Sequence, residues 1–451
     1  MRTLTNDLRL AVLLTRGADR RERWRMTLTA LGAALATGFG LAAAALASLE
    51  GQYSVQYGNG LLNRPGERSG VIVTLLLLLV PVLGFLGQST RVGAVHRDRR
   101  LAGLRLAGAS AAQVRRIAAL ETAVACLIGS LVVTVFFVLF LLSAWTPPSL
   151  AWVGVVLVAL GVPVLGAVAS VLALRRVVAS PLGWVRRVRP GTGRGPGWVF
   201  LGAVALVMLG GLLAVANTNR DMPGKTGHGP LILAGALLAV SAGAVWLSGT
   251  VSAFVGRLLA ARAESPEVLI AAERLRDDPW ASARTHAAVL VGTVAGSGFI
   301  GVRQALLAEV HSTKYLAENA SFYVTGVNLV AAAILVGFAI TLLGLAVGTA
   351  ESLATRRRGL AAQVAAGVPY EVLRRALLLE TALPLAPSVL VAGLGGTAIA
   401  VGYATAFGDG LVIPYGALLV PLGVYGTCLL AAASSLPLLR RTVRPAELRY
   451  A

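Results

Sequence analysis

A short phosphate-binding signature is the first feature of this chain that could carry chemistry. Gly224-Lys225-Thr226 matches the end of the loop G-x-x-x-x-G-K-[ST], in which backbone amides and a lysine hold nucleotide phosphates. Asn219 stands where that loop requires its first glycine. We therefore expect no nucleotide site here.

Side chains that bind metals or act as acids and bases are scattered. The four histidines have no histidine partner one helical turn away, and the two cysteines, Cys126 and Cys428, lie inside apolar runs. A metal or catalytic site needs several such groups converging on one face. The sequence therefore predicts no metal site, no disulfide and no enzymatic activity in this chain.

The composition explains why polar chemistry is sparse. Hydrophobic residues make up 56% of the 451 positions and charged residues only 13%, whereas soluble domains carry about 25% charged residues. Long apolar runs alternate with arginine-rich loops, a pattern typical of a polytopic membrane protein. An ordinary soluble globular protein is excluded.

Ten apolar runs are long enough to cross about 30 Å of hydrocarbon. They predict an all-α polytopic membrane protein with about ten transmembrane helices. We place the spans near 26–48, 70–90, 117–143, 150–174, 197–216, 230–256, 286–303, 323–349, 377–402 and 411–438.

The charges predict the orientation of these spans. The net charge is +20, and in a soluble protein it would indicate nucleic-acid binding. Here 34 of the 40 Lys and Arg residues lie on the side of the N-terminus, so the positive-inside rule places both termini in the cytoplasm and predicts no nucleic-acid partner. The loops on both sides are short, and we expect no nucleotide-binding or catalytic domain.

The arginine-rich loops contain a repeat. Residues 97–123 superpose on residues 356–382 without gaps at an offset of 259, matching Gly108 with Gly367 and Glu121 with Glu380. Six spans separate the two copies, so both copies have the same orientation. We predict two parallel four-helix repeats, residues 1–176 and 257–451, joined by a two-helix spacer, residues 177–256.

The repeated loop predicts a short amphipathic helix at the membrane surface, followed by a turn and a new helix. Gly108 and Gly367 supply helix stops. Ser110 and Gln113 form a capping box, whereas in the second copy Pro369 suits a first helical position and Glu371 the N-terminal end of the helix dipole.

A glutamate follows an arginine pair by about one turn in each copy. An ionisable residue at membrane depth is a functional candidate, but a neighbouring arginine pair can also satisfy it at the interface. We favour the second interpretation, an interfacial ion pair. The residues are Arg115, Arg116 and Glu121 in the first copy and Arg374, Arg375 and Glu380 in the second.

The stretch 97–121 resembles the loop between the second and third spans of FtsX/MacB-like ABC transporter permeases. The match includes Arg97, Leu104, Arg105, Gly108, Ala109, Ser110 and Glu121. Arg100 departs from it, because the family usually has glutamate there. The second copy keeps Gly367 and Glu380 but reads Gly-Val-Pro at the corner, with Gly359 and Val364 at the positions of Arg100 and Arg105.

The resemblance implies a transmembrane permease subunit of two fused halves. ATP and magnesium would bind to a separate ABC ATPase, present in two copies, so this chain would carry no cofactor. The loop after the second span of each half would dock on that ATPase. The residues assigned to the two docking loops are Arg97, Arg100, Leu101, Leu104, Arg105, Gly108, Ser110, Gln113, Arg356, Leu360, Gln363, Gly367, Pro369 and Glu371.

The resemblance further implies export or membrane extraction of a hydrophobic or amphipathic substrate, such as a lipid, lipopeptide or antibiotic-like molecule, at a bacterial cytoplasmic membrane. No substrate-binding residue is identified. Two alternatives stay open: a non-transporting mechanical transmitter that regulates an extracellular partner such as a cell-wall hydrolase, and an ion-coupled secondary transporter. A loop that only anchors itself among membrane lipids is the simplest interpretation of each copy, and the recurrence favours docking.

Overall fold

The structure is a computed structural model that describes residues 20–49, 51–52, 59–89, 100, 103–144, 148–173, 229–312, 319–407, 414–437 and 439. These residues form helices and connections, with no β-strand among them. Residues 103–106 are also helical. The twelve helices that are labelled are α1 (Arg20–Ala47), α2 (Pro65–Leu77), α3 (Leu79–Ser89), α4 (Ala111–Ala144), α5 (Ser149–Ala173), α6 (Gly229–Arg262), α7 (Pro266–Asp277), α8 (Trp280–Ser312), α9 (Ala320–Thr355), α10 (Arg357–Ala365), α11 (Tyr370–Phe407) and α12 (Tyr415–Ser434).

The chain is an all-α multi-pass membrane protein. Within the described residues, nine helical stretches are long and apolar enough to cross a membrane, and each falls on a predicted span. The predicted span 197–216 lies outside the described residues. The nine stretches are Glu22–Ala47, Pro65–Ser89, Ala111–Ser143, Ser149–Val171, Gly235–Arg262, Trp280–His311, Ala320–Thr355, Tyr370–Gly402 and Tyr415–Ser434.

The chain divides into two compact units. The first consists of Met1–Gly51 and Phe85–Gly191, and the second of Gln52–Gly84 and Thr192–Ala451. This division assigns most of the second predicted span to the second unit, whereas the repeat predicts boundaries after residues 176 and 256. The repeat boundaries stay a prediction.

In the first unit, α4 packs against α1 and α5. A methyl group on Gly129 of α4 would lie only 2.0 Å from the carbonyl oxygen of Ala30 on α1. Only a residue without a side chain lets the two helix backbones approach so closely. The outer faces of α4 and α5 expose large apolar residues such as Phe136 and Leu157, as expected of helices that face lipid.

In the second unit, α8 is the central helix and packs against α6, α9, α11 and α12. The backbones of α8 and α11 approach each other closely: a methyl group on Gly396 would lie 2.4 Å from the carbonyl oxygen of Val294. Leu290, Leu385 and Val389 are buried in the apolar core around this crossing. The helix α11 also contains Pro384 and Pro387.

The segment 59–84 packs against α9 within the second unit. Asn59 donates a hydrogen bond of 2.8 Å to the hydroxyl of Thr325. Further along, a methyl group on Gly337 would lie 3.2 Å from the side chain of Leu78 and 3.3 Å from that of Pro81. The second and eighth predicted spans therefore touch along their apolar faces.

Candidate functional site

The repeated loop folds into a sharp turn between two helices in both copies. We call residues 103–111 the first corner and residues 362–370 the second corner; the offset of 259 relates them. Gly108 has φ of 96° and Gly367 has φ of 92°. This left-handed conformation favours glycine, and it ends the preceding helix as the sequence predicts.

In the first corner, two backbone hydrogen bonds close the end of the helix. The amide of Gly108 donates to the carbonyl of Arg105 at 3.1 Å, and the amide of Ala109 donates to that of Leu104 at 3.0 Å. Together they form a Schellman motif, which satisfies carbonyls that a helix end would leave unpaired. The Arg105 guanidinium also donates to the Ala109 carbonyl at 3.1 Å.

The second corner repeats both bonds at equivalent positions. The amide of Gly367 donates to the carbonyl of Val364 at 2.9 Å, and the amide of Val368 donates to that of Gln363 at 3.0 Å. Val364 replaces Arg105 here, so the side-chain bond of the first corner has no equivalent. The backbone geometry is thus shared even where the side chains differ.

The helices that leave the corners begin differently. In the first corner, the hydroxyl of Ser110 accepts a hydrogen bond of 3.1 Å from the amide of Gln113, which is the predicted N-cap. In the second, α11 begins at Tyr370, with Pro369 immediately before it and Glu371 in its first turn. Both starts suit the positive end of the helix dipole.

Small apolar clusters hold each corner against the next helix. In the first, Leu104 and Ala109 pack on Val114 and Ala118 of α4. In the second, Val368 and Leu377 pack in a cluster around Leu360 and Leu373. This cluster lies at the same place in the repeat: the offset of 259 relates Val368, Leu373 and Leu377 to Ala109, Val114 and Ala118. Leu104 is therefore a packing residue of the corner itself.

A buried carboxylate ties the first corner to α1 and α4. Arg100 donates two hydrogen bonds of 2.8 Å to the two oxygens of Glu121, and it lies 3.8 Å from Glu22 of α1. Glu22 is also paired with Arg25. Glu121 is only 3% exposed. Both bonds come from one guanidinium nitrogen, Nη2. Charge-assisted bonds of this kind are stronger than neutral ones, so the segment before the corner is held to both helices.

An equivalent glutamate ties the second corner to its neighbours. Arg356 donates to the two oxygens of Glu380 at 2.8 and 3.0 Å, and Arg274 of α7 donates to the same carboxylate at 3.0 Å. Close by, Arg284 pairs with Asp278 at 2.5 Å. Burial lowers the pKa of the Arg356 guanidinium, and the adjacent Glu380 carboxylate opposes that shift.

The arginine that holds the glutamate differs between the copies. Arg100 lies 21 residues before Glu121, whereas Arg356 lies 24 residues before Glu380. Position 359, the equivalent of Arg100, is glycine. The two arginines are thus one helical turn apart in the repeat, and both reach the matching glutamate.

The arginine pairs contact other groups in the second copy. Arg374 pairs with Glu371 at 3.1 Å, and Arg375 lies 3.7 Å from Glu267 of α7. Glu380 is held instead by Arg356 and Arg274. In the first copy, Arg115 and Arg116 precede Glu121 on α4. Arg97 and Leu101, also assigned to the first loop, lie outside the described residues.

The tips of the two corners present different surfaces. Leu106 is 74% exposed at the tip of the first corner, although it lies outside the membrane-spanning stretches. Its equivalent in the second corner is Ala365, which is exposed but small. The sequence alone does not identify Leu106, because a single exposed apolar residue leaves no periodic pattern. It does not identify Glu22 and Arg274, because their contacts join segments that are distant in the sequence.

The described residues include no group of three or more His, Cys, Asp or Glu side chains placed to hold a metal ion. Beside the two corners, Arg100 is paired with Glu121, and Arg356 and Arg274 are paired with Glu380. No protein-family model, curated protein or solved structure matches the chain.

Proposed function

We propose that this chain is the transmembrane permease subunit of an ABC transporter of the FtsX/MacB-like kind. A separate ATPase in the cytoplasm, present in two copies, binds ATP and magnesium, and the two corners dock on it. Export or membrane extraction of a hydrophobic or amphipathic substrate follows from the resemblance. Both termini are in the cytoplasm, and the membrane is the cytoplasmic membrane of a bacterium.

One observation carries this proposal: the same sharp corner occurs twice, and a paired glutamate ties each copy to a long apolar helix. Arg100, three residues before the first corner, pairs with Glu121 of α4 and lies 3.8 Å from Glu22 of α1. A force on such a corner moves both helices together, because the ion pair is partly buried and its hydrogen bonds are charge-assisted. A loop that only anchored itself among lipids would not need these ties.

The contact between Leu78 and Gly337 supports the parallel repeat. These two positions are equivalent at the offset of 259. Where two equivalent helices pack about a two-fold axis, a residue on the axis touches its own equivalent. The proposal therefore includes a pseudo-two-fold axis along the membrane normal that passes near the second and eighth spans.

The first corner has the stronger docking surface. Leu106 offers an apolar side chain that is 74% exposed, and Arg105, Arg115 and Arg116 lie within ten residues of it. An apolar pocket with an acidic rim on the ATPase complements this surface. Ala365 offers the second corner much less apolar area to bury, so the two corners dock unequally.

ATP hydrolysis in lipid nanodiscs tests the function. The chain is co-expressed with a candidate ABC ATPase, and the Leu106→Asp variant is compared with Leu106→Met, which keeps an apolar tip. We expect Leu106→Asp to abolish co-purification and the coupled hydrolysis, whereas Leu106→Met retains both. Ala365→Asp should have the smaller effect.

Two outcomes would overturn the proposal. Failure of any ABC ATPase to bind the wild-type chain would favour a stand-alone transporter. A complex that survives Leu106→Asp and Ala365→Asp together would remove the corners from the docking site.

A further inference from the structure

We propose that a polar seam inside the second unit binds water molecules around His286. This inference does not depend on the transport function, since it concerns the packing of α6 against α8 alone. The polar seam consists of seven buried side chains: Ser241, Ser248 and Ser252 on α6, and Ser282, His286, Thr293 and Ser297 on α8.

The spacing places these side chains on one face of each helix. Intervals of seven and four residues separate the three serines of α6, and intervals of four, seven and four separate the residues of α8. Such intervals keep side chains on a common face. The two faces meet, because the hydroxyls of Ser252 and Ser282 are 2.6 Å apart.

Some polar groups of the seam are satisfied within the protein. Ser252 donates to the carbonyl of Ser248 at 2.7 Å, and Thr293 donates to the carbonyl of Val289 at 2.9 Å. These are the bonds to a preceding turn that hydroxyls in helices usually make.

Four side chains of the seam are not satisfied in this way. The hydroxyls of Ser241, Ser248 and Ser297 and both ring nitrogens of His286 are buried and meet no hydrogen-bond partner among the described residues. The Ser282 backbone, one turn earlier, offers the His286 ring one hydrogen bond, which is too poorly aligned to satisfy a ring nitrogen. Buried polar groups without partners are rare, and each one needs an explanation.

Bound water explains all four. Serine hydroxyls and an imidazole ring offer both donors and acceptors, and none of the seven residues carries a carboxylate or a guanidinium. The chemistry therefore suits a small neutral ligand that both donates and accepts. Buried water fits, since it typically makes about three hydrogen bonds to otherwise unsatisfied groups.

Water-edited solid-state NMR of the full chain in lipid bilayers tests this inference. Histidine is labelled with nitrogen-15, and the signal of His286 is the one lost in the His286→Gln variant. We expect magnetisation to pass from water to the His286 ring nearly as fast as to the exposed His311. The methyl signals of Val289 and Leu290, both fully buried, provide the dry reference.

A serine variant then identifies what holds the water. The double change Ser241→Ala, Ser248→Ala should cause loss of the rapid transfer to His286. The control Thr341→Val lies on α9, outside the polar seam, and its hydroxyl already donates to the Gly337 carbonyl at 2.8 Å; it should leave the transfer unchanged. A wild-type His286 signal that builds up as slowly as the buried methyl groups would show a dry seam and overturn the proposal. If the rapid transfer to His286 is unchanged in the Ser241→Ala, Ser248→Ala variant, these serines do not hold the water.

Discussion

Leu78 packs onto the backbone of Gly337, and the two residues are 259 positions apart, the same separation that relates the two corners. The offset came from the loops alone, yet it also relates two residues in contact within the apolar spans. A pair of parallel helices related by a two-fold axis makes such a contact on the axis. The contact gives the proposed repeat a direct chemical test.

Cysteines at Leu78 and Gly337 should cross-link. In a background with Cys126→Ala and Cys428→Ala, a short bifunctional thiol reagent is expected to join them, because a side chain at Gly337 would lie 3.2 Å from Leu78. Mass spectrometry of the joined peptides measures the yield. A cysteine at the exposed neighbour Val336 is the control, and equal yields at the two positions would contradict the packing.

Removing the charge of Glu121 should destabilise the first unit. In Glu121→Gln, Arg100 loses its charged partner, and we expect a loss of about 1–3 kcal/mol after allowing for the partial exposure of Arg100. Thermal unfolding in detergent measures the loss. The exposed Glu371→Gln should change stability by about 0.5 kcal/mol or less.

The charge reversal Arg100→Glu with Glu121→Arg distinguishes the ion pair from general packing. The double variant should recover part of the stability that either single change loses, because the pair is restored with the opposite orientation. A double variant as unstable as the sum of the two single changes would contradict a direct pair.

Moving the arginine of the second copy should restore its ion pair. Arg356→Gly is expected to lower the unfolding temperature, and a further Gly359→Arg should recover part of the loss. Position 359 precedes Glu380 by the same 21 residues that separate Arg100 from Glu121, and a β-carbon added at Gly359 would meet no neighbouring atom within 4 Å. Arg356→Gly with Ala362→Arg is the matched control and should recover nothing.

The two corner glycines should resist replacement by alanine. Gly108→Ala and Gly367→Ala place a β-carbon in the left-handed conformation, at an expected cost of about 1–2 kcal/mol each. Gly103→Ala, within the helix of the first corner, should instead be neutral or stabilising by up to about 1 kcal/mol. Limited proteolysis at the corners, together with unfolding temperatures, measures the effects. Equal responses at Gly103 and Gly108 would mean that the turn conformation is unimportant.

The features that the sequence predicts correctly are local. Gly108 and Gly367 end helices, and Ser110 caps one, because these effects act within a single turn of the chain. The nine described spans follow from apolar length alone. Helix ends and spans of this kind can be predicted without information about which other segments pack against them.

The features that the sequence does not reveal depend on contacts between distant segments. The sequence predicted that Arg374 and Arg375 pair with Glu380, whereas Arg274 of α7 and Arg356, between α9 and α10, hold it in the structure. The four histidines looked unremarkable in sequence, yet His286 is 3% exposed among buried hydroxyls. Periodicity identifies the buried face of a helix and leaves open which side chains of other helices it meets.

The prolines of α11 make the two halves mechanically unequal. Pro384 and Pro387 have no backbone amide hydrogen, so the carbonyls of Glu380 and Leu383 lose their usual helical donors just beyond the second ion-pair site. In the first half, α4 contains no proline along its 34 residues. A force applied at the first corner is therefore transmitted along the unbroken helix α4, whereas the same force at the second corner is partly absorbed when α11 bends at its prolines. Under the proposed transport function, we expect the first corner to transmit force to its span more directly than the second corner does.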